Sequence, residues 1–233
     1  MSDSAVLILD LSLHPEAYRP EGHWSRHLGR PWVAARPPRG TWPDPALRPS
    51  HVILTGCEGS ILGDDPWILR LCEHVRDFAT RGTPMLGSCF GHQLLVRALA
   101  GRQHVQATPT PEFGWVRATL TPEGRGDPVT GALPPAFDVF TCHFDEVHPL
   151  PAGWVRLGST RDCANALIRH GTLPVWGVQP HPEIDPAEGQ GLLDALPALL
   201  PERTEVVRRH HHPACRDSFV TPALVSAFLR AVP

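Results

Sequence analysis

Residues 84–95 read PMLGSCFGHQLL, and this stretch decides the fold. TPMLGS has the short apolar run of a strand, and Phe90 to Ala100, closed by Gly101, reads as a helix. Cys89 then stands where the strand turns into the helix. Gly87 and Gly91 flank it in the G-x-nucleophile-x-G form of a nucleophile elbow. Glycine at those places lets strand and helix backbones approach across a strained turn. A helix starting just after Cys89 sets peptide N–H groups and the positive dipole end beside the sulfur, which favours the thiolate. A lone cysteine is ordinarily a packed core thiol; the flanking pattern here points to a nucleophile.

Working outward, AVLILDL (5–11) and HVILT (51–55) are short apolar runs bounded by polar or turn residues, as in a sheet buried on both faces. The turn GCEGSILG (56–63) leads to Asp65-Pro66, an N-cap and first-turn pair. Ile68, Leu71, Cys72, Val75, Phe78 and Ala79 follow at helical spacing, and Gly82 ends that helix. Strand–helix–strand order predicts parallel pairing with right-handed crossovers. From about Trp115 to Val178 the character changes: WVRATLT, FDVFTC, WVRLGS, ALIRH and VWGVQ read as consecutive strands with short turns, so an antiparallel portion is expected. Two further helices are expected after Asp185-Pro186 and Thr221-Pro222, whereas residues 14–50, rich in Pro, Arg and Trp, carry no clear periodicity. The expected fold class is α/β, a mainly parallel central sheet flanked by helices with an antiparallel portion, in a single domain over residues 1–233.

Composition narrows the chemistry. A formal net charge of −3 gives no reason to expect a nucleic-acid partner. All 21 basic residues are arginine, which excludes a Schiff-base lysine, the usual P-loop and PLP chemistry. The N-terminal stretch MSDSAVLILDLSLHPE lacks a basic n-region and is broken by Asp10, so it reads as a strand and not a signal peptide. No apolar run reaches the length of a membrane span. The six cysteines form no CxxC pair, so reduced thiols in the cytoplasm are expected.

A second motif bears on the thiol. In VWGVQPHPEI, His181 lies between Pro180 and Pro182, with Glu183 two residues on. A residue before proline is held extended, and extended residues two apart point to the same side. Glu183 is thereby placed to reach the His181 ring and fix its tautomer.

GSCFGHQLL followed by GVQPHPE resembles the class I (triad) glutamine amidotransferases, whose common forms are close to G-x-C-x-G-x-Q and Q-F-H-P-E. LTGCEGSILGDDPWI resembles the family's oxyanion segment and TCHFDEV its S-H-G-D stretch; with EFGWVRATL these suggest the stand-alone GMP-synthase-like branch. The resemblance runs from about His51 to Glu183. It implies Cys89 as nucleophile, His181 as general base and acid, and Glu183 as the orienting carboxylate. It also implies an oxyanion hole of the Cys57 and Phe90 backbone N–H groups, and substrate contacts at Gly56, Gln93, His143 and Phe144. The implied activity is hydrolysis of the glutamine γ-amide through a γ-glutamyl thioester, without metal or cofactor. The ammonia would pass to a synthase on a separate chain or be released. The alternatives are a γ-glutamyl hydrolase or peptidase acting on γ-glutamyl amines or peptides, and a regulatory, non-catalytic chain, against which stands the retention of both Cys89 and His181.

This chain departs from the family pattern at three places. Cys57 replaces the second glycine of a G-G-P turn, which is tolerated if the turn needs no positive φ there. Pro180 replaces the phenylalanine of Q-F-H-P-E. Phe144 replaces the glycine of S-H-G-D, where it would either narrow the site or pack away; the retained Gln93, His143 and Asp145 favour packing away. Other thiol and hydroxyl hydrolases fit less well: the papain signature is absent, and an α/β-hydrolase places its acid before the histidine. His143 is the rival base, with a structural or site-lining role expected and Asp145 as its turn partner. His92 is expected to pack on its helix, and His210-His211-His212 to form an exposed polar turn, not a metal site.

Overall fold

The computed structural model describes residues 5–231; the first four residues of the N-terminal stretch read above as a strand, and the last two, lie outside them. Ten strands form one mixed sheet in the order β10-β5-β7-β8-β9-β4-β3-β1-β2, with β6 pairing off this path with β5. The strands nearest the elbow are β1 (Val6–Leu9), β2 (Trp32–Ala35), β3 (His51–Leu54), β4 (Met85–Ser88) and β9 (Val175–Val178). They pair wholly in parallel. The expected antiparallel portion is β5 (Val105–Leu120), β6 (Ala136–Val147), β7 (Trp154–Ser159) and β8 (Leu167–His170), with β8 closing onto β9. A short helix, α4 (Pro122–Gly126), follows β5.

Alternation along β1 shows why these strands read as continuous apolar runs. Val6 and Ile8 pack on one face with Ile53, Leu86 and Phe228. Leu7 and Leu9 pack on the other with Val52, Leu54, Phe78 and Leu94. Successive side chains point to opposite faces, so a strand covered on both sides must be apolar at every position. The helices α2 (Pro66–Thr80) and α3 (Phe90–Ala100) cover the second face, and α7 (Thr221–Phe228) covers the first. Asp65 does precede α2 as its N-cap, but its side chain makes no capping bond; Pro66 alone starts the helix. Asp185 makes a full capping box with Glu188 at the start of α5 (Pro186–Leu199).

The structure corrects three local expectations. Residues 14–50 contain α1 (Pro20–Ser25) and the edge strand β2, both too short to show a period. The tail holds a third helix, α6 (Thr204–Arg209). His211 and His212 form a short strand, β10, parallel to Phe113 and Gly114 of β5. His211 and His212 are therefore sheet edge, since their backbone finds a free row of partners there, and only His210 is a turn.

Phe228 is fully buried between His51 and Trp176. Phe228→Ala is expected to cost about 3–5 kcal/mol of stability, read from urea denaturation; a loss under about 1 kcal/mol would show that α7 does not seal this face.

Candidate active site

The elbow is built by close approach. Cys89 has φ +47° and ψ −108°, a conformation that costs an L residue of order 1–3 kcal/mol and persists only when neighbours impose it. They do so here. The Cys89 N–H donates to the Val178 carbonyl of β9 at 2.9 Å, and the Gly91 N–H donates to the Thr55 carbonyl beyond β3 at 3.0 Å. A Cβ on Gly91 would collide with the carbonyl oxygen of Leu54, and one on Gly87 would stand 2.5 Å from the Gly91 carbonyl. Both glycines are thus required by contact between strand and helix. The thiol faces the Cys142 carbonyl oxygen of β6 at 3.5 Å.

His181 follows β9 and is held from both sides. Its N–H donates to the Phe140 carbonyl of β6 at 2.8 Å, and Thr221 of α7 donates its hydroxyl to the Pro182 carbonyl. Nδ1 lies 2.8 Å from Glu183 Oε1, as the spacing on either side of Pro182 predicts. The ring and the Cys89 sulfur both face the same cavity. Burial alone would push the ring's pKa down; the charges of Glu183 and Cys89 outweigh it and raise it to about 10. Burial likewise works against the Glu183 carboxylate, but His181 and the hydrogen bonds it accepts hold its pKa below the ordinary value. At neutral pH the two form a buried ion pair beside the thiol.

A cavity of about 380 Å³ opens over Cys89 and His181. Cys57, Phe90, Gln93, His143 and Phe144 all line it, whereas Gly56 does not. Gly56 lies under the imidazole, where a Cβ would come within 2.5 Å of His181 Cε1. Its smallness makes room for the ring rather than for a ligand. Cys57 has no positive φ, so the turn accommodates its side chain. Among the described residues, neither the Cys57 nor the Phe90 backbone N–H donates to a protein acceptor, and Phe90 is one of the open donors at a helix start.

Several side chains in the cavity wall are already engaged. His143 has Nδ1 3.1 Å from the Asp145 carbonyl and Nε2 3.2 Å from Glu112, so neither nitrogen is free to take a proton from the thiol. Asp145 meets His143 through its carbonyl; its carboxylate accepts from the Ser60 hydroxyl and the Ile61 N–H. Gln93 spends its amide nitrogen on the Asp145 carbonyl at 2.6 Å and on Gln179 at 3.1 Å. Phe144 packs on Phe113 with ring centroids 4.9 Å apart, under the Arg203 guanidinium, and still forms part of the wall. His92 is buried in α3 against Gly177, and burial pushes its pKa down to about 3. Among the described residues, no group of three His, Cys, Asp or Glu side chains could hold a metal, and no helix is long and apolar enough to cross a membrane.

Sequence reading misses two parts of the site. Tyr18, the chain's single tyrosine, follows β1 and donates its hydroxyl to Glu183 Oε1 at 2.6 Å. Leu192, Leu196 and Leu200, at four-residue spacing along and just after α5, also line the wall, with Arg203. That spacing is a helical signal, but nothing in it says which cavity the face covers.

The family model for class-I glutamine amidotransferases matches residues 45–194, well over half of the chain. The chain belongs to this family. Similar relatives within it include the glutamine-hydrolyzing GMP synthase subunit of Methanospirillum hungatei, 33% identical over 140 residues, which are 60% of this chain and 71% of the relative. A "Gamma-glutamyl-L-1-hydroxyisopropylamide hydrolase" of a Pseudomonas species is 36% identical over 148 residues, 61% of this chain and half of the relative. The fold also matches a glutamine amidotransferase from Thermotoga maritima, with a TM-score of 0.76 at 17% identity over 99% of this chain and all of that one. Glutamine amidotransferase membership covers the elbow and the His181 segment, but Tyr18 and residues 196–203 of the cavity wall fall outside the matched range.

Environment separates the cysteines of this chain. Burial pushes the pKa values of Cys57, Cys72, Cys142 and Cys163 up, and none has a base beside it as Cys89 does. Brief iodoacetamide treatment at neutral pH with peptide mapping is expected to label Cys89 first; first labelling at Cys57 or Cys142 would show that the elbow thiol is not the activated one.

Proposed function

We propose that the chain, acting as a single glutaminase-type domain, hydrolyses the γ-amide of glutamine by covalent thiol catalysis. The observation that carries this reading is one arrangement: a thiol on a strained strand-to-helix corner, facing a histidine whose far nitrogen is 2.8 Å from a buried carboxylate. The Cys89 thiolate attacks the γ-carbonyl carbon, forming a C–S bond and moving the carbonyl electron pair onto oxygen. The Cys57 and Phe90 N–H groups receive that oxyanion. The His181 imidazolium gives its Nε2 proton to the nitrogen as the C–N bond breaks, and ammonia leaves. Neutral His181 then takes a proton from water, whose hydroxide attacks the γ-glutamyl thioester. A second tetrahedral collapse expels the thiolate and leaves glutamate. Glu183 keeps the ring in the tautomer that each half-reaction needs.

The name of the Methanospirillum relative, which makes it one part of a multichain synthase, supports delivery of the ammonia to a separate synthase chain. A second reading, hydrolysis of a γ-glutamyl amine, is favoured by the leucine face of α5. Leu192, Leu196 and Leu200 offer an apolar wall in a cavity of about 380 Å³, where an alkyl group on the leaving nitrogen would be desolvated. The Pseudomonas relative's name supports this reading too.

Glutamate release from glutamine and from a series of γ-glutamyl alkylamides tests both. Turnover of glutamine supports the amidotransferase reading; inert glutamine beside rapidly cleaved alkylamides would leave only the second. In either case His181→Ala is expected to lower kcat by roughly 10²–10⁴-fold. Glu183→Gln should lose less, and His143→Ala should keep much of the activity, because His143 has both nitrogens engaged. Equal losses for the two histidines would place the base elsewhere. Phe144→Gly removes part of the wall without touching the thiol, so KM for glutamine should change more than kcat.

A further inference from the structure

We infer that Tyr18 is a positioning residue for this chemistry: its hydroxyl holds the Glu183 carboxylate in the orientation that meets His181. Glu183 Oε1 accepts from Tyr18 at 2.6 Å and from Ser88 at 3.3 Å, and it also faces His181 Nδ1 at 2.8 Å. Oε2 is buried and has no partner among the described residues. All the donors therefore converge on one oxygen, and Tyr18 makes the shortest contact. Without that contact, only the 3.3 Å Ser88 bond holds the carboxylate beside the imidazole, and the Glu183 side chain can turn Oε1 away from Nδ1. The Tyr18 ring stands edge-on to His181, with centroids 5.6 Å apart and planes at 89°, so it also walls the imidazole in.

The backbone under Tyr18 is built to hold this aim. Tyr18 and Ala17 both donate to the His14 carbonyl, closing a turn directly after β1. Ser12 lies 3.0 Å from the Tyr18 carbonyl and 3.0 Å from Glu58, which itself accepts from the Leu13 N–H at 2.8 Å. Burial, and then the neighbouring Glu183 charge, push the Tyr18 pKa well above its ordinary value, so the phenol stays a donor at every working pH. The hydrogen bond it gives favours the Glu183 carboxylate over the acid. Removing it moves the Glu183 pKa upward, and any rate that needs the charged carboxylate then fails at higher pH on the acid side. The other titratable groups coupled to Glu183 are His181, His23 in α1, and His27 just after it. Burial pushes both of these histidines down, and His23 pairs with Glu188 at 3.3 Å.

The test is Tyr18→Phe, which deletes the hydroxyl and keeps the ring. Its turnover arm rests on the function proposed above; its alkylation arm does not. With whichever γ-glutamyl compound turns over, kcat should fall about tenfold to a hundredfold, the rate equivalent of one hydrogen bond to a charged group, with KM within about twofold. The acid limb of kcat should move to higher pH, and Tyr18→Phe should add almost nothing in a Glu183→Gln background. The acid limb of Cys89 alkylation by iodoacetamide, read without substrate, should move the same way, and should still do so in a His23→Asn background. A rise in KM alone would make Tyr18 a substrate contact and overturn the proposal. So would full additivity with Glu183→Gln, or an unmoved alkylation limb. If no γ-glutamyl compound turns over, the proposed function fails and the alkylation limb alone decides the role of Tyr18.

Discussion

The register between β4 and β9 is the constraint on which the site depends. Ser88 pairs with Val178, and the Cys89 N–H continues that ladder onto the Val178 carbonyl. The two strands run parallel, so both chains leave the sheet at the same edge. One turns sharply into α3 at Cys89, and the other runs on through Pro180 to His181. The carboxyl ends of parallel strands are where α/β sheets gather ligands, and here those ends supply the thiol and the imidazole directly. A slip of one residue would reverse every side chain of β4 between the two cores and carry Cys89 off the corner.

Two further strands complete the edge. β6 approaches from the antiparallel half and grips His181 through the Phe140 carbonyl, while its Cys142 carbonyl faces the thiol. β1 ends at the loop that carries Tyr18. The buried ion pair of His181 and Glu183 would be costly to enclose alone. It is tolerable because donors reach Glu183 from separate elements, Ser88 from β4 and Tyr18 from beyond β1.

The parallel strands other than β2 are legible as short continuous apolar runs, α2 by its helical spacing, the antiparallel half as consecutive short strands, and the elbow because glycine spacing reports backbone contact. His181 and Glu183 are legible because flanking prolines fix their backbone. Tyr18 is not, since a single aromatic in a Pro- and Arg-rich loop has no period and its partner lies far along the chain. Gly56 is expected as a substrate contact only from the family resemblance; the folded chain shows it lying under the imidazole. The leucines of α5 are visible as an apolar helix, but its own pattern says nothing of the hollow beside it. β10 escapes because two histidines acquire strand geometry only from the edge they meet.

The division of the cavity wall has an evolutionary consequence. Thiol, imidazole and carboxylate sit inside the segment shared with the family, whereas Leu196, Leu200 and Arg203 enter from sequence beyond it. Residues 200–203 lie after α5 and are largely exposed, so replacing them disturbs no strand and little core. Descendants of such a chain can vary this part of the wall while inheriting thiol, imidazole and carboxylate intact, because the two are written in different stretches of the gene.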